Sequence, residues 1–102
     1  MIRWMRTASL AARGTETMNA IAWAKEISDF TKKYEGASSV NFYMNSFGEI
    51  STVHWFADYE DLATFDKVQK QILEDPKFFE MLEKGKDYVV EGSAYDTVMR
   101  QF

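Results

Sequence analysis

Two periods alternate along this chain, one of two residues and one between three and four. Residues 2–9, IRWMRTAS, follow the first: Ile2 and Trp4 point one way, Arg3 and Met5 the other, which predicts a strand. Gly14 then breaks the pattern, and Thr15 is placed to cap a helix with Glu16 in its first turn. Trp23, Ile27, Phe30 and Tyr34 fall at i, i+4, i+7 and i+11, one apolar stripe flanked by Ala20 and Ala24. A helix to about Tyr34 is expected, with Gly36 as its stop. The two-residue period returns in SSVNFYMNS and again in EISTVHWFA, with the turn SFGE between them, so a hairpin is expected. A two-residue turn at Phe47 and Gly48 would pair 45 with 50, 43 with 52 and 41 with 54.

Asp58 is the expected cap of the next helix, with Glu60 and Asp61 near its positive end. Leu62, Phe65, Val68 or Gln69, and Ile72 trace that helix's buried stripe. In EDPKFFEMLEKG, Asp75 is a natural cap, Pro76 suits a first helical position and Gly85 is a stop. Phe78, Phe79 and Leu82, at helical spacing, read as core contacts. A last strand is expected from about Gly92 to Phe102. The order β-α-β-β-α-β is the ferredoxin-like, split βαβ pattern. It is an α+β fold whose four-stranded antiparallel sheet carries its helices on one face. No repeat, low-complexity segment or linker divides residues 1–102, so one domain is expected.

The two faces of the expected hairpin differ in kind. Val40, Phe42, Met44, Val53, Trp55 and Ala57 make one, nearly all apolar and suited to lie under the helices. Asn41, Tyr43, Asn45, Ile50, Thr52, His54 and Phe56 make the other. That second face is too aromatic to stay wet and too polar for a dry core. Two copies packed sheet against sheet would cover it and enclose a cavity, so a homodimer is expected.

Composition narrows the chemistry. The net charge is −4 and the sequence pI about 4.9, with no Lys/Arg run, which argues against nucleic acid and against anionic membrane surfaces. There is no cysteine and one histidine, so thiolate chemistry and a three-histidine zinc site within one chain are excluded. No apolar run is long enough to span a membrane. Arg3 and Arg6 interrupt the apolar N-terminus, which reads as a strand rather than a signal peptide, and a cytoplasmic location is the default expectation. The acid-rich DYED is explained by a helix start, and GTET at Gly14 by a turn and cap rather than a phosphate loop.

The run GEISTVHWFADYEDLATFDKVQKQILEDPKFFEML, residues 48–82, resembles the second half of dimeric α/β-barrel proteins and is most similar to NIPSNAP-like members. The shared features are a histidine or aromatic pair at a strand end, an acidic YEDLA-type helix start and a DP-F step before the last strand. The resemblance implies a dimeric α/β barrel with a ligand cavity in each protomer. Its superfamily includes cofactor-independent antibiotic-biosynthesis monooxygenases and haem-degrading enzymes. The latter resemble one another in a strand-one Asn, a tryptophan matching Trp55 and a second-helix His. Here strand one has no Asn and residues 60–84 no His, so the haem carry-over fails at two of three positions and no cofactor is implied.

Two function classes follow. One is a NIPSNAP-like protein that binds a hydrophobic small molecule between its sheet and a partner's sheet. The other is a cofactor-free monooxygenase or related enzyme acting on an aromatic or hydrophobic compound, with His54 as general base and Asn41 and Tyr43 holding the developing oxyanion. Trp55, Trp4 and Arg3 complete the expected ligand contacts. Arg6 shares with Arg3 the capacity to bind a carboxylate, and exposed edge positions suit both equally. The resemblance turns Trp55 toward the cavity. The apolar-face argument instead puts Trp55 under the helices and His54 in the cavity, and a bulge near Ala57 or another register would reverse that. Asp96 and Arg100, at i and i+4 on one strand face, are expected to pair with the partner subunit.

Overall fold

A computed structural model of the chain describes residues 1–11 and 13–102. Strand β1 (Ile2–Ser9) is followed by helix α1 (Glu16–Thr31), strands β2 (Ala37–Met44) and β3 (Thr52–Tyr59), helices α2 (Leu62–Leu73) and α3 (Pro76–Lys84), a short 3₁₀ turn (Lys86–Tyr88) and strand β4 (Tyr95–Arg100). The sheet order is β2-β3-β1-β4, with every neighbouring pair antiparallel. This is the ferredoxin-like α+β arrangement, with the helical segment between β3 and β4 divided in two. The division falls where Asp75 caps Lys77 N–H at 3.0 Å and Pro76 opens α3.

The helices cover one face. Ala8, Val53, Trp55 and Ala57 are buried there, and Ala20 and Ala24 of α1 are small enough to let the helix approach closely. Both core indoles have their N–H satisfied by helix backbone: Trp55 Nε1 donates to Ala24 O at 2.9 Å and Trp23 Nε1 to Met81 O at 2.8 Å. Trp23 meets Trp55 edge-on, and Phe42 packs against Trp55 at a tilt. A second apolar cluster gathers Tyr34, Ala57, Tyr59 and Val68, so of the two candidates on α2 it is Val68 that is fully buried. Between α1 and α3, Tyr34 Oη donates to Asp75 at 2.6 Å and Lys33 pairs with the same carboxylate at 2.6 Å. Those partners, Lys33 first, pull the Asp75 carboxyl down to about 2.

Five local expectations need correction. The hairpin is not closed by a two-residue turn. Asn45 N–H bonds Thr52 O at 2.9 Å, and residues 45–51 form a longer loop in which Gly48 and Ser51 take positive φ. Pairing therefore runs Tyr43 with His54 and Asn41 with Phe56, two residues from the expected register. A shift of two keeps every side chain on its expected face. Asp58 does not cap α2, because β3 continues through Tyr59, and the cap is Asp61, accepting from Thr64 N–H at 2.8 Å. Thr15 makes no side-chain cap; backbone bonds from Glu16 to Arg13 O and from Thr17 to Gly14 O start α1 instead. Helix α1 ends at Thr31 in 3₁₀-type bonds to Asp29 O, Phe30 O and Thr31 O, and β4 is shorter than expected.

Gly85 closes α3 directly beneath Trp23, and a Cβ placed there would overlap the indole ring. Gly85→Ala is expected to lower stability by about 1–3 kcal/mol through overpacking. Urea unfolding followed by tryptophan fluorescence reads this, and an unchanged midpoint would mean that Trp23 is not fixed against α3.

Candidate functional site

Alternation along the strands sends the expected site residues to opposite sides of the sheet. Trp4, on β1, pairs with Ala57, and Arg6 with Trp55; both carry their side chains to the helix side. There the helices do not fill the space above the sheet. A cavity of about 240 Å³ remains, bounded by Trp4, Trp55, Val40, Ile72, Phe78 and Phe79. The third tryptophan of the chain, Trp23, also lines it. Among the described residues Arg6 is the single charged side chain in the lining; Thr31, Gln69 and Tyr59 supply polar atoms. The expectation that Phe78 and Phe79 are plain core residues holds in part only. Phe78 packs on the core, but both rings form cavity wall and Phe79 is 45% exposed.

Arg6 is held by Asp96 of β4. Its Nε and Nη2 donate to the two carboxylate oxygens at 2.6 and 2.9 Å, and the guanidinium carbon lies 5.5 Å from the centre of the Trp4 ring. The Arg6 bonds, reinforced by the Trp4 indole, keep the Asp96 carboxyl below the ordinary carboxylate range against the opposing effect of burial. Asp96 thus has a partner within the chain, on the neighbouring strand β1.

His54, Asn41, Tyr43 and Arg3 lie on the uncovered face. His54 is half-buried there, flanked on β1 by Thr7. Asn45 Oδ1 stands 2.8 Å from His54 Nε2, and its amide nitrogen donates to Glu49 O at 3.1 Å. An amide oxygen can only accept, so Nε2 carries a proton. Nδ1 stands 2.9 Å from the Thr7 hydroxyl, within hydrogen-bond distance. Tyr43 sits across from His54 and edge-on to Phe56, while Asn41 faces Phe56 and is exposed. Thr7 was not foreseen as a partner, since nothing local in the sequence gives the β1–β3 register. Asn45 was placed on this face but without a role, because the assumed tight turn paired it with Ile50.

Arg3 grips Asp58 with Nε and Nη2 at 2.7 and 3.0 Å, and Ser39 donates to the same carboxylate at 2.9 Å. The Arg3 bonds outweigh burial and hold the Asp58 carboxyl below its usual range, while Arg3 is shifted upward by the same contact. This network fixes β2, β3 and β1 together. Among the described residues no group of three or more His, Asp or Glu side chains gathers that could hold a metal, and no helix is long and apolar enough to cross a membrane.

The fold and cavity define a ferredoxin-like α+β protein with an aromatic pocket between helices and sheet. The NIPSNAP family matches over residues 5–99, nearly the whole chain, and the protein belongs to that family. Among solved structures, an uncharacterized NIPSNAP domain protein from Burkholderia xenovorans is similar with a TM-score of 0.78 and 13% identity, covering 100% of this chain and 95% of that one. A NIPSNAP family protein from Agrobacterium tumefaciens gives 0.73 and 13%, covering 99% and 92%. An antibiotic biosynthesis monooxygenase gives 0.72 and 8%, covering 100% and 99%. At such identities these likenesses establish the fold. No curated protein matches the sequence.

Asp58→Asn is expected to lower the thermal midpoint at pH 7 by about 3 °C, since the ion pair it disrupts is partly solvent-screened. A carboxyl whose folded pKa is depressed contributes stability above its unfolded value and loses it as pH falls through the folded one. The gap between variant and parent should therefore be full at pH 7 and close below about pH 4. A gap that does not narrow at all as the pH is taken from about 4 down to about 2 would point to packing rather than charge.

Proposed function

We propose that this NIPSNAP-family protein binds a hydrophobic small molecule in the cavity between its sheet and helices, and that it works as a homodimer closed through the uncovered sheet face. The cavity carries the ligand reading. Aromatic and aliphatic walls with few polar groups are what small-molecule sites present, and about 240 Å³ suits a compact ligand, just under the usual range. In this reading Trp4 and Trp55 contact the ligand. His54, Asn41, Tyr43 and Arg3 belong to the face that meets the partner, rather than lining a ligand space between two sheets. Support for the dimer comes from Tyr43, Tyr95 and Met99, apolar or aromatic side chains exposed on that one surface of a single protomer.

A cofactor-free oxygenase using His54 as base draws less support. The ring projects on the side of the sheet away from the cavity, and both of its nitrogens are engaged within the chain, by Thr7 and Asn45. Likeness to an antibiotic biosynthesis monooxygenase carries the shape and not the chemistry.

Native mass spectrometry on freshly purified protein tests both halves. The expected species is a dimer with up to one hydrophobic adduct per protomer, seen also in His54→Ala. Ala37→Phe, which adds bulk to the cavity wall, should cut adduct occupancy at least about tenfold while leaving the dimer intact. A monomer would sink the interface. An adduct that survives Ala37→Phe but is lost in His54→Ala would move the ligand to the other face.

A further inference from the structure

We infer that Arg6 makes the cavity selective for an amphipathic organic monoanion, a short aliphatic or single-ring carboxylic acid whose apolar body lies among the aromatic walls and whose carboxylate meets the Arg6 guanidinium. This rests on the cavity being the binding site. In a chain of net charge −4, the one charge among the cavity's described lining residues is positive. Its position is fixed by the sheet: Arg6 stands between Trp55 on β3 and Asp96 on β4, one step along its face from Trp4.

The Asp96 contact leaves the guanidinium work to do. It engages Nε and one hydrogen of Nη2. Both hydrogens of Nη1 and the second on Nη2 find no protein acceptor among the described residues, and the side chain is 41% exposed. A guanidinium held by one carboxylate still presents a planar edge of N–H groups, and that edge fits a second carboxylate. Asp96 also sets the limit on charge. It fixes the fork's direction and offsets part of the attraction, so a dianion would gain like-charge repulsion and a monoanion is the best match. The cavity's volume adds a limit on length, favouring an acid of about eight carbons over a long-chain lipid.

All three tryptophans line the cavity, so their emission reports occupancy directly. Octanoate, 1-octanol and octylamine are titrated against the purified protein. Octanoate should bind about tenfold tighter than octanol, the modest ratio following from the Asp96 offset. Arg6→Lys should keep part of that preference, and Arg6→Gln should bring octanoate down to the octanol value, with far-UV circular dichroism confirming the fold. Equal affinity of acid and alcohol in the parent protein overturns the inference, as does a preference that persists in Arg6→Gln. Tightest binding by octylamine would make Asp96 the head-group partner and overturns it too. If none of the three probes binds up to its solubility limit, the cavity itself is not a ligand site, and both this inference and the proposed function fall.

Discussion

The helix layer is fixed to the sheet through two buried indoles. A buried indole N–H left without an acceptor is costly, and each of these has a helix carbonyl: Trp55 uses Ala24 O on α1, and Trp23, itself on α1, uses Met81 O on α3. Together they tie β3 to α1 and α1 to α3. The chain of contacts has little slack. Ala20 and Ala24 are fully buried, and Gly85 leaves room for the Trp23 ring where no side chain would fit. Helix α2 joins the core less tightly, with Val68 its one buried residue and Leu73 largely exposed. The cavity lies between the sheet and helices α1, α2 and α3, with all three tryptophans in its wall.

The two faces of the sheet answer different demands. Under the helices the two indole N–H groups are satisfied by backbone carbonyls, and Arg6 pairs with the Asp96 side chain. On the uncovered face the polar groups form connected sets: Thr7, His54 and Asn45 in one, Arg3, Asp58 and Ser39 in the other. Among the described residues no buried side-chain polar atom lacks a hydrogen-bond partner. Asn45 does more than hold the imidazole. Through Glu49 O it ties the loop 45–51 back to the sheet, even though Phe47 and Ile50 in that loop point into solvent.

Much of this architecture was legible because strand faces depend only on parity. The hairpin register was off by two residues, yet Val53, Trp55 and Ala57 still fall under the helices and His54 opposite them, since an even slip preserves alternation. What parity could not give was the length of the loop, set by positive φ at Gly48 and Ser51. It could not place the cap of α2 either. Asp58, Glu60 and Asp61 crowd one stretch, and the choice among them depends on how far β3 runs. Pairing of Tyr59 with Ile2 and Ala37 on its two sides carries the strand past Asp58. The cavity was the least legible feature. Phe78 and Phe79 sit at core spacing, and only the stand-off of the helices, a tertiary property, turns their rings into walls.

Arg3 and Arg6 show how far position outweighs residue type. They lie three apart on one strand, so they project from opposite faces. Each makes a two-point bond to an aspartate on a neighbouring strand, Asp58 on β3 and Asp96 on β4. From the sequence they were interchangeable candidates for binding a carboxylate. Asp58, however, is nearly buried and takes a third bond from Ser39, so the Arg3 pair is completed by the fold and holds three strands together. The Arg6 pair, which the Trp4 indole supports, is open to solvent on both sides of the contact. It leans on Trp4 beside an apolar hollow, where a guanidinium edge can be completed by a ligand instead. The same pair of residue types therefore closes one face of the sheet and leaves the other able to receive.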